Sequence, residues 1–313
     1  MDSPLKVLVC DKVHETGIRK LKDAGFEVLV AEGISYEELL KVISEYDVIV
    51  VRSRTKVSRD VIEAAKKLKV IARVGAGTDN IDLDAAHERG IKVVCAGDAV
   101  ANATAELTVG LMLALSRNIC LLNDEMKKGG WPKGKCEGVE LMGKTVGIIG
   151  AGRVGRRVAE LTKAFGMEVL LNDVIPIPDE FLRKVSGRVL PLIELLKASD
   201  YITLHVSLTS STRKLLNKDN MQFIKRGAFL INTSRGAVID EDALYEALVT
   251  GRLRGAALDV YSVEPPVNKK LLELPNVICT PHIGAQTLEA QERASVEVAS
   301  KIIELFSYVT TRS

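Results

Sequence analysis

The stretch Gly150-Ala-Gly-Arg-Val-Gly155 constrains what this chain can fold into more than any other. It follows residues 144–149, a short run rich in β-branched residues, and precedes residues 156–165, where Val158, Leu161 and Phe165 recur at helical spacing. Strand, glycine turn and helix in that order make a cradle for phosphate. Gly150 permits the tight turn, Gly152 lets the backbone approach a pyrophosphate, and Gly155 lets the helix pack closely on the strand. Free N–H groups and the helix dipole favour an anion at the helix start. Gly166 closes the helix, residues 167–171 read as a second strand, and Asp173 follows roughly 20 residues after the fingerprint, where a carboxylate can hydrogen-bond ribose hydroxyls. Asp173 would repel a 2′-phosphate, and residues 174–180 hold no Arg or Lys to accept one, which selects NAD over NADP. Arg156 and Arg157 read as solvating the helix face.

The 313 residues, 47% of them hydrophobic, suffice for two domains with a sizeable core. A net charge of +2 without a dense basic run argues against nucleic acid as a partner. The longest apolar stretch, residues 107–115, is short of the roughly 20 residues of a membrane span. Residues 1–11 lack a basic region followed by an apolar core and a cleavage site, so a cytoplasmic protein with no membrane partner is expected. The five cysteines, Cys10, Cys95, Cys120, Cys136 and Cys279, are odd in number and include no CxxC pair, which argues against a disulfide framework or a metal site. Cys10, Cys95 and Cys279 lie in strand-like runs and read as buried free thiols.

Ahead of the fingerprint, apolar runs at residues 7–10, 26–31, 47–52, 70–74 and 91–96 alternate with helical patterns at 17–24, 36–44, 58–67 and 84–89. Such alternation means a parallel sheet covered by helices. Residues 102–127 read as one long helix, apolar nearly all round in its first half and so buried; Gly129 to Gly134 then break the pattern as a connection into the fingerprint unit. Further strands are expected at 201–206, 228–232, 256–260 and 277–280, and a last helix at 288–305. The fold class is α/β, with two doubly wound parallel-sheet domains, the second a Rossmann dinucleotide-binding domain. Residues 1–100 with 286–313 form a discontinuous substrate domain, and residues 101–285 form the cofactor domain.

Three polar residues follow the carboxyl ends of expected strands in the second sheet: Arg235, Glu264 and His282. In open α/β sheets ligands lie outside those ends, so the three can converge although far apart in sequence. Their chemistry fits hydride transfer between NAD and a 2-hydroxy acid. His282 titrates near neutral pH and can take the hydroxyl proton. Glu264 would fix its tautomer and stabilise the imidazolium, and Arg235 would grip the substrate carboxylate through paired hydrogen bonds.

The segments Gly150-Ala-Gly-Arg-Val-Gly155, Asn232-Thr-Ser-Arg-Gly236, Asp259-Val-Tyr-Ser-Val-Glu-Pro265 and Thr280-Pro-His-Ile-Gly284 resemble the signatures of D-isomer-specific 2-hydroxyacid dehydrogenases, and the likeness covers nearly the whole chain. The resemblance implies two domains with a cleft between them, an Arg-Glu-His catalytic set and a homodimer built on the cofactor domain. It also implies cofactor contacts at Gly150, Gly152, Arg153, Val154, Gly155, Asp173, His205, Val206, Ser207, Thr212, Asn232, Thr233, Ser234, Asp259 and Gly284, with Thr104 on the long helix. Ser207 stands where the family commonly has Pro, and residues 95–98 replace its more frequent Asn-Thr-Pro type of hinge.

In the first domain, residues 50–57 (Val-Val-Arg-Ser-Arg-Thr-Lys-Val) and 72–82 are similar to segments of the phosphoglycerate dehydrogenase branch of that family. This implies NAD-dependent oxidation of D-3-phosphoglycerate to 3-phosphohydroxypyruvate, the first step of serine biosynthesis. Arg52, Ser53 and Arg73 would meet the phosphate side, and the backbone of Val74 and Gly75 the carboxylate. Val100 departs from the Asn that many such enzymes carry. A chain ending at Ser313 leads one to expect no serine-binding regulatory extension. The competing reading returns Arg52, Arg54 and Arg73 to the surface and makes the protein a glyoxylate or hydroxypyruvate reductase. A reading of another class, an NAD-sensing corepressor, shares the fold and the catalytic set but depends on partner binding.

The role of Asp173 is open to direct titration: NADH should bind at least about tenfold more tightly than NADPH, a difference of about 1.4 kcal/mol. Tighter binding of NADPH would remove Asp173 from the ribose site.

Overall fold

A computed structural model describes residues 4–134 and 136–310; the ends of the expected substrate domain, residues 1–3 and 311–313, lie outside the described residues. The chain divides into two compact units, one of residues 1–100 and 285–313, the other of residues 101–284.

Unit 1 holds five parallel strands, β1 (Lys6–Val9), β2 (Glu27–Val30), β3 (Val48–Val51), β4 (Val70–Arg73) and β5 (Lys92–Cys95), in the order β2-β1-β3-β4-β5. The central β3 is Val-Ile-Val-Val and buried throughout, as a strand covered on both faces requires. The edge strand β2 is largely exposed. Helix Leu288–Thr310 places Ala294, Val298, Ala299 and Ile302 in one apolar cluster with Val7, Val9, Val48 and Val50. It also lies against helix Glu15–Asp23: Ser295 Oγ donates to the His14 carbonyl at 2.8 Å, and Gly17 faces Ser295 so closely that any Cβ there would overlap it.

Unit 2 holds seven parallel strands, β6 (Thr145–Ile149), β7 (Glu168–Asn172), β8 (Arg188–Val189), β9 (Tyr201–Leu204), β10 (Ala228–Asn232), β11 (Leu253–Leu258) and β12 (Val277–Cys279), in the order β12-β11-β10-β9-β6-β7-β8. Apolar clusters cover its two faces, one around Leu195, Leu230 and Leu244, the other around Met112, Val158 and Ile231. Its strand order reverses between β6 and β9, so a crevice opens there at the carboxyl ends.

The expected long helix is two helices, Gly97–Ser116 and Ile119–Lys127. Asn118 separates them with φ of 52°, a left-handed conformation that Asn tolerates better than most residues. Ser116, the last residue of the first helix, donates from its hydroxyl to the Met112 carbonyl and shares a hydrogen bond with Tyr201 Oη, a pair no period of apolar residues reveals. This 20-residue helix is long and apolar enough to cross a membrane, but two-thirds of it is buried inside the protein, which marks a core helix. Residues 129–134 lie wholly within unit 2. Of the thiols read as buried, Cys10 is buried and its pKa is pushed up to about 12 by desolvation and by Asp11. Cys95 is half-buried, and Cys279, on the edge strand β12, is exposed.

Because Gly17 has no room for a side chain, Gly17→Ala should destabilise unit 1 by about 2 kcal/mol or more, the cost of overpacking against backbone. Urea unfolding followed by circular dichroism measures it; an unchanged midpoint would mean that the two helices separate freely.

Candidate active site

The crevice between β6 and β9 is lined by the glycine turn. Gly150 has φ of 96°, and a Cβ there would lie 2.7 Å from the backbone carbon and oxygen of His205. Gly155 packs against the Gly150 carbonyl with no space for a Cβ, which seats helix Arg153–Ala164 on the turn. A Cβ at Gly152, by contrast, would meet nothing within 4 Å, so the space above the helix start is open. An open cradle at the N-terminus of a 12-residue helix fits a pyrophosphate. Asp173, just past β7, accepts from the Ala151 amide at 2.6 Å and from the Ile175 amide at 2.9 Å, which ties its carboxylate to the turn. The arginines read as solvating the helix do more: Arg156 Nε donates to the Ala151 carbonyl at 2.8 Å and its guanidinium stacks over Phe181, while Arg157 bonds Asn102 and Glu160.

The loop after β9 meets the turn through its main chain. The His205 amide donates to the Ile149 carbonyl at 2.8 Å. The His205 ring points away: both ring nitrogens are shut off from water and meet no hydrogen-bond partner among the described residues, and the Thr203 hydroxyl two residues earlier is in the same state. Burial pushes the imidazole pKa down to about 3, so the ring is neutral at working pH. Any cofactor contact at His205 is therefore made by backbone. Val206 is half-buried and Ser207 exposed, and the loop they open is closed by Thr212, whose Oγ1 donates to the Ser207 carbonyl at 2.6 Å.

The turn after β10 is built by Asn232 and Ser234, two residues expected to face the cofactor. Asn232 is fully buried; its Oδ1 accepts from both the amide and the hydroxyl of Ser234, and its Nδ2 donates to the Arg235 carbonyl. Their side chains shape the turn that presents Arg235. Thr233 shares a 2.8 Å hydrogen bond with the Thr108 hydroxyl, which also donates to the Thr104 carbonyl, so the buried Thr108 ties Thr233 to the Thr104 backbone. Gly236 lies against the Tyr261 backbone with no space for a Cβ, so the turns after β10 and β11 are locked together.

His282 Nδ1 lies 2.8 Å from Glu264 Oε2, and Glu264 Oε1 accepts from the Tyr261 amide at 3.2 Å. His282 itself has φ of 53°, an unfavourable conformation for a residue with a Cβ. Asp259, expected to bind the cofactor, holds it there. The Asp259 carbonyl accepts from the His282 amide; its Oδ1 accepts from the Thr280 hydroxyl at 2.6 Å and the Ile283 amide at 2.8 Å, and its Oδ2 from the Gly284 amide at 2.8 Å. Asp259 is completely buried, and this fourfold attachment to residues 280–284 accounts for a carboxylate in the core. A lone Asp at the end of an apolar strand was the signal for it in the sequence. Gly284 sits beside Asp259 and Thr104, where a Cβ would lie 3.2–3.3 Å from their side chains.

In unit 1 the strand order reverses between β1 and β3, and Arg52 follows β3 while Arg73 ends β4. The Arg52 guanidinium makes two long contacts, 3.4 Å each, to the Lys12 carbonyl and Gln286 Oε1. Partial burial lowers its pKa from the usual arginine value. Arg54 is engaged by Asp11, 2.9 Å away, and by the carbonyls of Cys10 and Ile34. Ser53, between them, is exposed. The Val74 amide donates to the Val51 carbonyl, and the Gly75 amide closes a tight turn onto the Arg73 carbonyl. The Val74 donor expected to receive a carboxylate is thus committed to the sheet, and that of Gly75 to its own turn.

A doubly wound parallel sheet whose glycine turn lies at the switch point, with an acidic residue after the next strand, defines a Rossmann-type NAD-binding domain. The model of the D-isomer specific 2-hydroxyacid dehydrogenase NAD binding domain matches residues 109–284, and the chain belongs to that family. It is 50% identical to a D-3-phosphoglycerate dehydrogenase of Methanocaldococcus jannaschii over 299 residues, 95% of this chain and 57% of the relative; it thus spans little more than half of that protein. It is 47% identical to a hydroxypyruvate reductase of Thermotoga maritima, over 96% of this chain and 97% of the relative. Among solved structures, the TT0316 protein of Thermus thermophilus superposes with a TM-score of 0.85 at 38% identity, over 94% of each chain.

The isolated His205 ring gives a pH signature. Its folded pKa lies below the ordinary 6.5, so the unfolded chain takes up the proton first as pH falls. Stability is complete above the unfolded value and declines as pH drops toward the folded value of about 3. Between about pH 6 and 4 the wild type should lose about 1 kcal/mol per pH unit more than His205→Asn, measured by urea unfolding. Parallel curves would mean that the ring meets water in solution.

Proposed function

We propose that the protein oxidises D-3-phosphoglycerate to 3-phosphohydroxypyruvate with NAD, the first step of serine biosynthesis. The observation that carries the reading is the pair Arg52 and Arg73 on adjacent strand ends of unit 1, where two guanidinium forks match a phosphate monoester. The half-buried Arg52 guanidinium makes two long contacts to neutral oxygens near the Asp11 carboxylate and keeps N–H donors for an anionic ligand. The 50% identity to a phosphoglycerate dehydrogenase supports the same substrate.

In this reading Gly150, Gly152, Gly155 and the amides of Arg153 and Val154 hold the pyrophosphate, and Asp173 holds the adenosine ribose. NAD, when bound, supplies the acceptor for the hydride leaving C2 of the substrate. The protein manages the proton. Glu264 at Nδ1 leaves Nε2 of His282 to accept the C2 hydroxyl proton, and the imidazolium that forms is stabilised by the adjacent carboxylate. Arg235 binds the C1 carboxylate and polarises the C2 oxygen as it becomes a carbonyl. His282→Ala should therefore abolish turnover while leaving NADH binding in place. The exposed apolar residues Ile119, Leu121 and Met126, on a helix with no buried residue, support a homodimer built on unit 2.

The hydroxypyruvate reductase reading keeps Arg235, Glu264 and His282, and is favoured by a match that spans nearly all of both chains. A side-by-side measurement separates the two. Two charge-assisted contacts of about 1.5 kcal/mol each should give 3-phosphohydroxypyruvate a kcat/KM roughly 100-fold above hydroxypyruvate or glyoxylate, and Arg52→Ala should cut that preference about tenfold. A preference for hydroxypyruvate, unchanged in Arg52→Ala, would establish the reductase instead.

A further inference from the structure

We infer that Asn80 is the positioning residue of the Arg52–Arg73 pair, setting two guanidinium groups for one tetrahedral phosphate monoester; this rests on the phosphoglycerate reading above. Asn80 lies between the loops that carry the two arginines. Its Nδ2 donates to the carbonyls of Arg52 at 2.7 Å and Thr55 at 2.6 Å, and its Oδ1 accepts from Arg73 Nε at 3.2 Å. The orientation of the amide is dictated by its partners: turned over, its oxygen would face two carbonyl oxygens and its NH2 a guanidinium. Asn80 is itself fixed, because its carbonyl accepts from the Val57 amide at 2.8 Å and Ile81 pairs with Val57.

One side chain thus reaches the main chain of one arginine and the guanidinium of the other. For Arg52 it fixes the backbone, whose amide is held on the other side by Asp11 Oδ2 at 2.6 Å. The main chain is pinned on both sides while the guanidinium keeps its two 3.4 Å contacts. For Arg73 it engages Nε, which sets the plane of the guanidinium. Gly75 lies beneath that plane; a Cβ there would come within 2.6 Å of Arg73 Nη1. Arg54, two positions beyond Arg52 on the same loop, shows the alternative: pairing with Asp11 fixes it equally well but neutralises it. Asn80 orients its arginines without adding a negative charge that would repel a phosphate.

The experiment compares 3-phosphohydroxypyruvate with hydroxypyruvate in wild type, Asn80→Ala, Asn80→Asp, Arg73→Ala and the Asn80→Ala/Arg73→Ala double variant. Asn80→Ala should raise KM for the phosphorylated acid about tenfold with kcat nearly unchanged, while the constants for hydroxypyruvate stay within about twofold. Asn80→Asp, which keeps the acceptor for Arg73 but sets a carboxylate against two carbonyls and beside the phosphate, should be as impaired toward the phosphorylated acid. In the Arg73→Ala background the Asn80→Ala effect should shrink. Competition by inorganic phosphate against hydroxypyruvate should weaken in step. Equal losses on both substrates in Asn80→Ala, with Arg73→Ala selective, would overturn the role of Asn80 while sparing the phosphate reading. Arginine variants without substrate preference would overturn both. If Asn80→Ala does not fold, Asn80→Asp carries the same comparison.

Discussion

A parallel sheet has two chemically different ends, and the organisation of this protein follows from that. Every strand of unit 2 runs the same way, so every loop after a strand emerges at one edge. Read across it, that edge presents His282, then Asp259 and Glu264, then Arg235, then the His205 loop, the glycine turn and Asp173. With strands about 4.8 Å apart, the sequence-distant groups fall into a line several strands long. The candidate acid–base residues and Arg235 collect at the β12–β10 side and the glycine turn at the β6–β7 side, with β9 between them. A one-strand rearrangement would destroy the arrangement, which explains why so many core positions are β-branched or aliphatic side chains packed on both faces.

The edge fixes position to within a strand; catalysis needs finer placement, and buried polar groups supply it. Asp259 converts a loop that would relax into many conformations into one with His282 held left-handed. Its cost, a desolvated carboxylate, is offset by three side-chain acceptances and one backbone acceptance from the same loop. Asn232 does the same for Arg235 with a neutral amide. At the histidine the functional side chains are not themselves buried: His282 and Glu264 remain about two-fifths exposed. The support is buried and hydrogen-bonded, so the candidate groups stay accessible on anchored backbone.

The periodic parts of the fold were legible in the sequence. β10 is at the expected residues, and most other strands lie within a residue or two of the expected runs, because apolar and β-branched runs leave little choice. β8 escaped because two residues carry no period, and the helix break at Asn118 escaped because apolar spacing continues through it while the backbone turns left-handed. The glycine turn was legible since each glycine answers a steric demand. Side-chain direction was not. Nothing in the residues at 232 and 234 tells that their polar atoms turn inward to build a turn, because a buried hydrogen bond and a ligand contact use the same atoms. Asn80 was missed for the same reason: it looks like any loop Asn until the two carbonyls and the Arg73 Nε around it are seen.

Unit 1 uses the same edge logic with a different electrostatic outcome. Asp11, Arg52, Arg54 and Arg73 gather at the carboxyl ends of β1, β3 and β4. The Asp11 carboxylate is engaged by Arg54, two backbone amides and the Thr55 hydroxyl. One of those amides belongs to Arg52, yet the Arg52 guanidinium turns to two neutral oxygens, the Lys12 carbonyl and the Gln286 side chain. A carboxylate at position 80 would have brought a second negative charge to this edge; the fold instead uses an uncharged amide. The Arg52 main chain is held from both sides while its guanidinium meets neutral oxygens and feels the Asp11 carboxylate through space.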